Sequence, residues 1–176
     1  LDIQFQEVVV EAAGRRQRAS VAVDEPTQTA AFTVPQAVPA GPARLHIRYT
    51  GILNNQLRGF YLSEANNRRY AVTQLESTDA RRAFPGFDEP AMKATFTIAL
   101  TIDAADTAIS NGRLLSDTPG PGAGRHTLRF SETARMSSYL VAMTVGDFQC
   151  LSGEAESTPI RICATPDKKE LGYVAL

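Results

Sequence analysis

Apolar side chains recur at every second position over much of this chain. In ARLHIRYTG, Leu45, Ile47 and Tyr49 share one face, while His46, Arg48 and Thr50 share the other. In ATFTIALTID, Phe96, Ile98, Leu100 and Ile102 alternate with Thr and Ala. HTLRF sets Leu128 with Phe130, and PIRICA sets Ile160 with Ile162. A period of two predicts half-buried antiparallel strands. SSYLVAMTVGDF is instead a nearly continuous apolar run, which predicts a strand buried on both faces, with a helix as the alternative. STDARRAF is the one stretch suited to a short helix, with Ser77 or Thr78 as its cap.

Turn signals separate the runs. DEPTQ, VPAGPA, EANNRR and DTPGPGAGR suit tight or irregular connections. GFYLSEANNRRYAVTQLE predicts a hairpin with Ala65, Asn66 and Asn67 at its tip. The result is an all-β, sandwich-like domain of roughly ten strands in stacked or bent antiparallel sheets, spanning residues 1–176 as one unit. Residue 1 begins in mid-pattern, and DKKELGYVAL stops on an apolar upswing. Because edge strands need partners or covers, the chain is expected to have been cut from something longer at both ends.

Composition narrows the function classes. With 43% apolar residues the chain can build a core, and a net charge of −1 with no basic stripe gives no footing for nucleic acid. No run approaches the ~20 apolar residues that span a bilayer, and no signal-peptide pattern opens the chain. Cys150 and Cys163 fit no zinc-motif spacing. They are expected as two buried thiols, with a disulfide between neighbouring strands as the alternative.

TQLESTDARRAFPGFDEP, residues 73–90, departs from the pattern by crowding charges around two phenylalanines and a Pro-Gly turn. If YAVTQLE continues a strand, Gln74 and Glu76 project from one face. A Gln amide oxygen beside a carboxylate makes a receptor for a primary ammonium group with its three donors. The plainer alternative is two ordinary polar residues on a solvated face. Beyond them Asp79, Arg81, Arg82, Asp88, Glu89 and Lys93 alternate in sign around Phe84, Pro85 and Phe87, with Pro90 fixing the backbone. Ion pairs around aromatic anchors would hold such a loop in one geometry, so these residues are expected to be scaffold rather than catalyst.

Several blocks in order carry a resemblance. GFYLSEANNRRYAVTQLESTDARRAFPGFDEPAMKATFTIAL, then AISNG, then MSSYLVAMTVGDF, spread over residues 59–148, resemble the N-terminal domain of the aminopeptidase N family of zinc metallopeptidases. The resemblance implies a β-saddle domain packed on a thermolysin-like catalytic domain. It implies that Gln74 and Glu76 line the first specificity pocket, where Glu76 binds the free α-amine of a peptide substrate and Gln74 assists. Asp79, Arg81, Arg82, Phe84, Pro85, Phe87, Asp88, Glu89 and Pro90 would form the rigid support beneath them. Where many members carry a cysteine, this chain has Gly86, which would permit a positive φ at the turn.

The zinc chemistry of that family needs H-E-x-x-H on a helix and a third carboxylate ligand. Neither His46 nor His126 sits in such a motif, and G-x-M-E-N is also missing. His46 is expected as an outward-facing strand residue and His126 as exposed after a Gly-rich turn. The resemblance therefore implies no metal in this chain and zinc in a parent enzyme, where metal and a glutamate base activate water. This domain's share would be positional, and the isolated chain is expected to be inactive. The partners expected are a peptide's free N-terminus and the chain's own catalytic domain. The alternatives are a non-catalytic scaffold of the same fold, a stand-alone β-sandwich binding module, and an epoxide-hydrolysing relative. The last tends to carry Gln where this chain has Glu76.

Overall fold

The computed structural model describes residues 3–175. Among these the chain forms fourteen strands, more than the alternation alone separates, because several are only four or five residues long. They are β1 (Ile3–Ala12), β2 (Arg15–Arg18), β3 (Ser20–Asp24), β4 (Thr29–Thr33), β5 (Ala43–Gly51), β6 (Gly59–Ala65) and β7 (Arg68–Gln74). There follow β8 (Ala99–Asp103), β9 (Thr107–Ser110), β10 (Leu114–Pro119), β11 (Arg125–Phe130), β12 (Met143–Gly146), β13 (Gln149–Ala155) and β14 (Thr158–Ala164). The expected start of the chain in mid-strand at residue 1 lies outside the described residues.

All pairings between these strands are antiparallel, in the orders β2-β1-β5, β10-β11-β8, β6-β7-β12-β9, β13-β14 and β3-β4. The all-β expectation therefore holds. The β6–β7 hairpin turns where the Asn pair predicts, with Asn66 at φ 52° and Asn67 at φ 60°. Asparagine tolerates this left-handed backbone better than other side-chain-bearing residues. Two small cores lie within the sheets. Leu75, Ala80 and Val141 are buried together with Phe84, Phe96, Ile98 and Met143 against them. Ala108, Leu128 and Phe130 form the second, and Ile98 touches both.

Three elements differ from expectation. ATFTIALTID keeps its alternating burial, but only Ala99–Asp103 is regular strand. Upstream, the Thr133 hydroxyl accepts the Phe96 amide at 3.1 Å, so a side chain takes one ladder position. SSYLVAMTVGDF is not one strand. A 3-10 turn at Ser138–Leu140 precedes β12, and Leu140 is half exposed. STDARRAF yields a single 3-10 turn, Ala80–Arg82, rather than an α-helix capped by Ser77 or Thr78. Asp79 stands before that turn without a side-chain capping bond, because its carboxylate is engaged by arginines.

Cys150 and Cys163 face each other across β13 and β14 and form a disulfide, so the expectation of two free thiols is overturned. A ten-residue 3-10 stretch, Pro166–Ala175, follows β14 and packs back on this hairpin. No helix among the described residues is long and apolar enough to cross a membrane.

Candidate functional site

The site begins where β7 ends. Leu75 is 2% exposed and enters the core beside Ala80 and Val141. Its neighbours are thereby turned outward, and both Gln74 and Glu76 are exposed. The Glu76–Ser77 peptide is cis. Gln74 and Glu76 line one cleft of about 220 Å³, together with Thr73, Leu75 and the strap formed by Tyr139, Leu140, Val141 and Ala142. Two acceptor-bearing side chains on one side and a backbone wall on the other can receive a small cationic donor such as an ammonium group.

Past Glu76 in the chain, two buried carboxylates each gather a separate cluster of charges. Asp79 is buried and accepts Arg58 Nε and Nη2, both at 3.1 Å, and Arg82 Nε at 2.9 Å. Asp88 is also buried. Its Oδ2 accepts the backbone amide and Nε of Arg81, both at 3.0 Å, and its Oδ1 accepts the Ser138 hydroxyl at 2.9 Å. Arg81 Nη2 donates to the Asp88 carbonyl at 2.9 Å. An amide left free at the start of the 3-10 turn is thus served by a carboxylate seven residues downstream, in place of a local cap.

The apolar part of this segment is Phe84, which packs on the Leu75 core and meets Phe96 edge-on at 6.2 Å between ring centroids. The Tyr49 hydroxyl, raised above its ordinary pKa by burial, donates to the Ala83 carbonyl at 3.0 Å and ties β5 to this segment. Phe87 departs from the expected pair of aromatic anchors, being 81% exposed. Glu89 is exposed, and Pro85 and Pro90 are partly covered. Gly86 does not use a positive φ, and a Cβ there would meet only the Phe84 ring at ordinary contact distance. The glycine therefore marks no strained turn.

A second, larger cleft of about 810 Å³ adjoins the first, with Val141 lining both. Its walls are mostly apolar, including Phe84, Phe87, Met92, Phe96 and Met143. Among the described residues no group of three or more His, Cys, Asp or Glu could hold a metal ion. His46 Nε2 lies 3.3 Å from Glu11 Oε2 on the β1–β5 sheet. His126 is more enclosed than expected, with Nδ1 at 2.7 Å from Asp117 Oδ1 and Nε2 at 3.2 Å from the Asp106 carbonyl. These residues do not fit a zinc site.

The family model described as "Peptidase M1 N-terminal domain" matches residues 1–140, including both sides of the Gln74–Glu76 cleft up to Leu140. The chain belongs to the peptidase M1 N-terminal domain family. Aminopeptidase N of Acetobacter pasteurianus is 36% identical over 164 residues, covering 90% of this chain and 46% of that protein. Puromycin-sensitive aminopeptidase of Caenorhabditis elegans is 36% identical over 87% of this chain and 17% of its own length. Aminopeptidase 2 of Candida albicans is 35% identical over 98% of this chain and 19% of its own length. The chain thus spans less than half the length of each of these relatives.

For this M1 N-terminal domain, five partners carried no role in the sequence pattern. Arg58 lies in a loop with no period to mark it, and Ser138 sits in an apolar run that predicts a strand. Thr73, Ser110 and Asn111 hold the strap. Their polar character inside or beside apolar runs was the one available signal.

Proposed function

We propose that this chain is the substrate-anchoring N-terminal domain of a zinc-dependent aminopeptidase that removes N-terminal residues from peptides. Gln74 and Glu76 receive the substrate's free α-ammonium group, with Glu76 supplying the opposite charge and Gln74 an amide oxygen. The observation that carries this reading is their joint exposure around buried Leu75, on the floor of one small cleft facing the 139–142 strap. An anchor at the closed end of a peptide-binding groove makes cleavage count from the N-terminus. Holding the scissile bond at a fixed reach from that anchor is a positional contribution to rate.

Since no described cluster fits zinc, we assign the metal, which would supply the Lewis-acid activation of water, to a separate catalytic domain. The mostly apolar 810 Å³ cleft is the face assigned to that domain. Relatives at least twice as long as the matched segment support the existence of such an occupant. On this reading the segment 79–90 is the mount and the isolated chain is inactive.

The test is Glu76→Ala in the full-length enzyme carrying this domain, assayed on an aminoacyl-arylamide. Losing a charge-assisted bond to the ammonium group predicts a fall in kcat/KM of about 100-fold. Unchanged kinetics would reject the anchor, whereas absence of aminopeptidase activity in the unmutated full-length protein would favour a scaffold of the same fold.

A further inference from the structure

The wall facing Gln74 and Glu76 is held by side chains where a sheet would use backbone. β12 pairs with β7 at Thr144↔Val72 and Val145↔Ala71. Beyond those pairs the 139–142 strap parts from β7, and the small cleft opens in the gap. Thr73 Oγ1 accepts the Met143 amide at 2.9 Å and lies 3.4 Å from the Val141 carbonyl. The Ser110 hydroxyl donates to the Ala142 carbonyl at 2.7 Å. Asn111 makes two bonds: Nδ2 donates to the Leu140 carbonyl at 3.0 Å, and Oδ1 accepts the Ala142 amide at 2.7 Å.

A primary amide carries donor and acceptor in one plane, as a peptide group does. Asn111 therefore continues the edge of β9 by one side chain, past the last backbone pair at Met143↔Ser110. The residue after it fixes its aim. Gly112 has φ +82°, and a Cβ there would stand 2.5 Å from the Ser131 carbonyl oxygen, so only glycine fits this turn. Tyr139 and Val141 seat the strap on the core, whereas Leu140 between them is 49% exposed and gains little from packing. Loss of the Asn111 bonds would loosen the wall while its centre stays seated.

We propose that Asn111 is a positioning residue for the amine pocket. It sets the separation between the 139–142 strap and the Gln74–Glu76 pair, and so the fit of the substrate's N-terminal residue. This inference rests on the assignment of Gln74 and Glu76 as the amine anchor.

A double-mutant cycle of Asn111→Ala with Glu76→Ala, in the full-length enzyme on an aminoacyl-arylamide, separates the two claims. Asn111→Ala alone is expected to lower kcat/KM about tenfold, mainly through KM, as for two lost hydrogen bonds. On the Glu76→Ala background the further loss should shrink to about twofold or less, since the amine is no longer held against the wall. Asn111→Asp keeps the acceptor for the Ala142 amide and loses the donor to Leu140. It should fall between wild type and alanine, and it replaces alanine in the cycle if that variant does not fold. Wild-type kinetics for Asn111→Ala, or an effect that multiplies in full with that of Glu76→Ala, overturns the positioning role. So does failure of both Asn111 variants to fold, which would make the residue purely structural. Wild-type kinetics for Glu76→Ala alone rejects the anchor itself and this inference with it, a result distinct from an impaired Glu76→Ala with a silent Asn111.

Discussion

Tyr70 shows how tightly a single side chain is enclosed beside the site's supporting strand. It is 4% exposed, stacks at a tilt on Phe148 with centroids 5.1 Å apart, and faces Gly146, where a Cβ would lie 2.2 Å from the ring. Burial first, and then the Asp147 carboxylate beside it, pushes the hydroxyl up to about 12. The folded state thus holds the phenolic proton more tightly than the unfolded chain, whose tyrosines titrate near 10. Stability from this group is complete below about pH 10 and is lost as pH rises toward 12, because the folded state then binds more protons than the unfolded one. Urea unfolding between pH 9 and 12 should show that decline, and Tyr70→Phe should remove most of it. A wild-type midpoint flat across the window would contradict it. At the same scale, the sign alternation in 79–93 was legible as ion pairing, but the partners were not. Arg58 reaches Asp79 from 21 positions upstream and Ser138 reaches Asp88 from 50 downstream, distances over which one sequence carries no pairing signal. Phe87 was misjudged for a related reason: an apolar residue need not be buried, and nothing local says which of two phenylalanines faces inward.

At the scale of elements, period-two alternation located β5, β8, β11 and β14, and turn chemistry located the β6–β7 hairpin. It failed where side chains substitute for backbone partners. SSYLVAMTVGDF looked like a strand, yet Asn111, Ser110 and Thr73 take its peptide groups and let the strap bend away from β7. The helix expected over STDARRAF, with Ser77 or Thr78 as its cap, shrank to one 3-10 turn, and the residue that precedes it, Asp79, is committed to Arg58 and Arg82 instead of to the turn. The β13–β14 hairpin shows register deciding chemistry. Spacing left thiols and disulfide both open, whereas pairing Leu151 with Ile162 brings Cys150 opposite Cys163. A cross-link over a sequence separation of 13 removes unfolded-chain entropy equivalent to about 3 kcal/mol. Reduction, or a double Cys150→Ser and Cys163→Ser change, should lower stability by about that amount and speed amide exchange over residues 149–164 first. Exchange there that matches the oxidised chain would show that the hairpin does not depend on the bond.

Among the described residues the molecule is a set of small antiparallel sheets in which two modest cores are joined through Ile98, and the 810 Å³ cleft is mostly apolar. Phe87 at 81% exposure and Met92 at 56% line that cleft, which adjoins the proposed amine pocket. An exposed apolar surface of this kind on a folded domain marks a contact with something else. The proposed catalytic domain would cover it and complete the pocket whose floor is Gln74 and Glu76. Two measurements on one substitution examine this. In the 176-residue chain, Phe87→Ala removes a side chain that buries little, so its unfolding free energy should change by no more than about 0.5 kcal/mol. In the full-length enzyme the same change would open a hole between packed domains. There it should cost about 3 kcal/mol, within the range for a buried phenylalanine, read as a lower midpoint for the transition that separates the domains. Equal, small effects in both would leave Phe87 in solvent throughout and place the catalytic domain on another face.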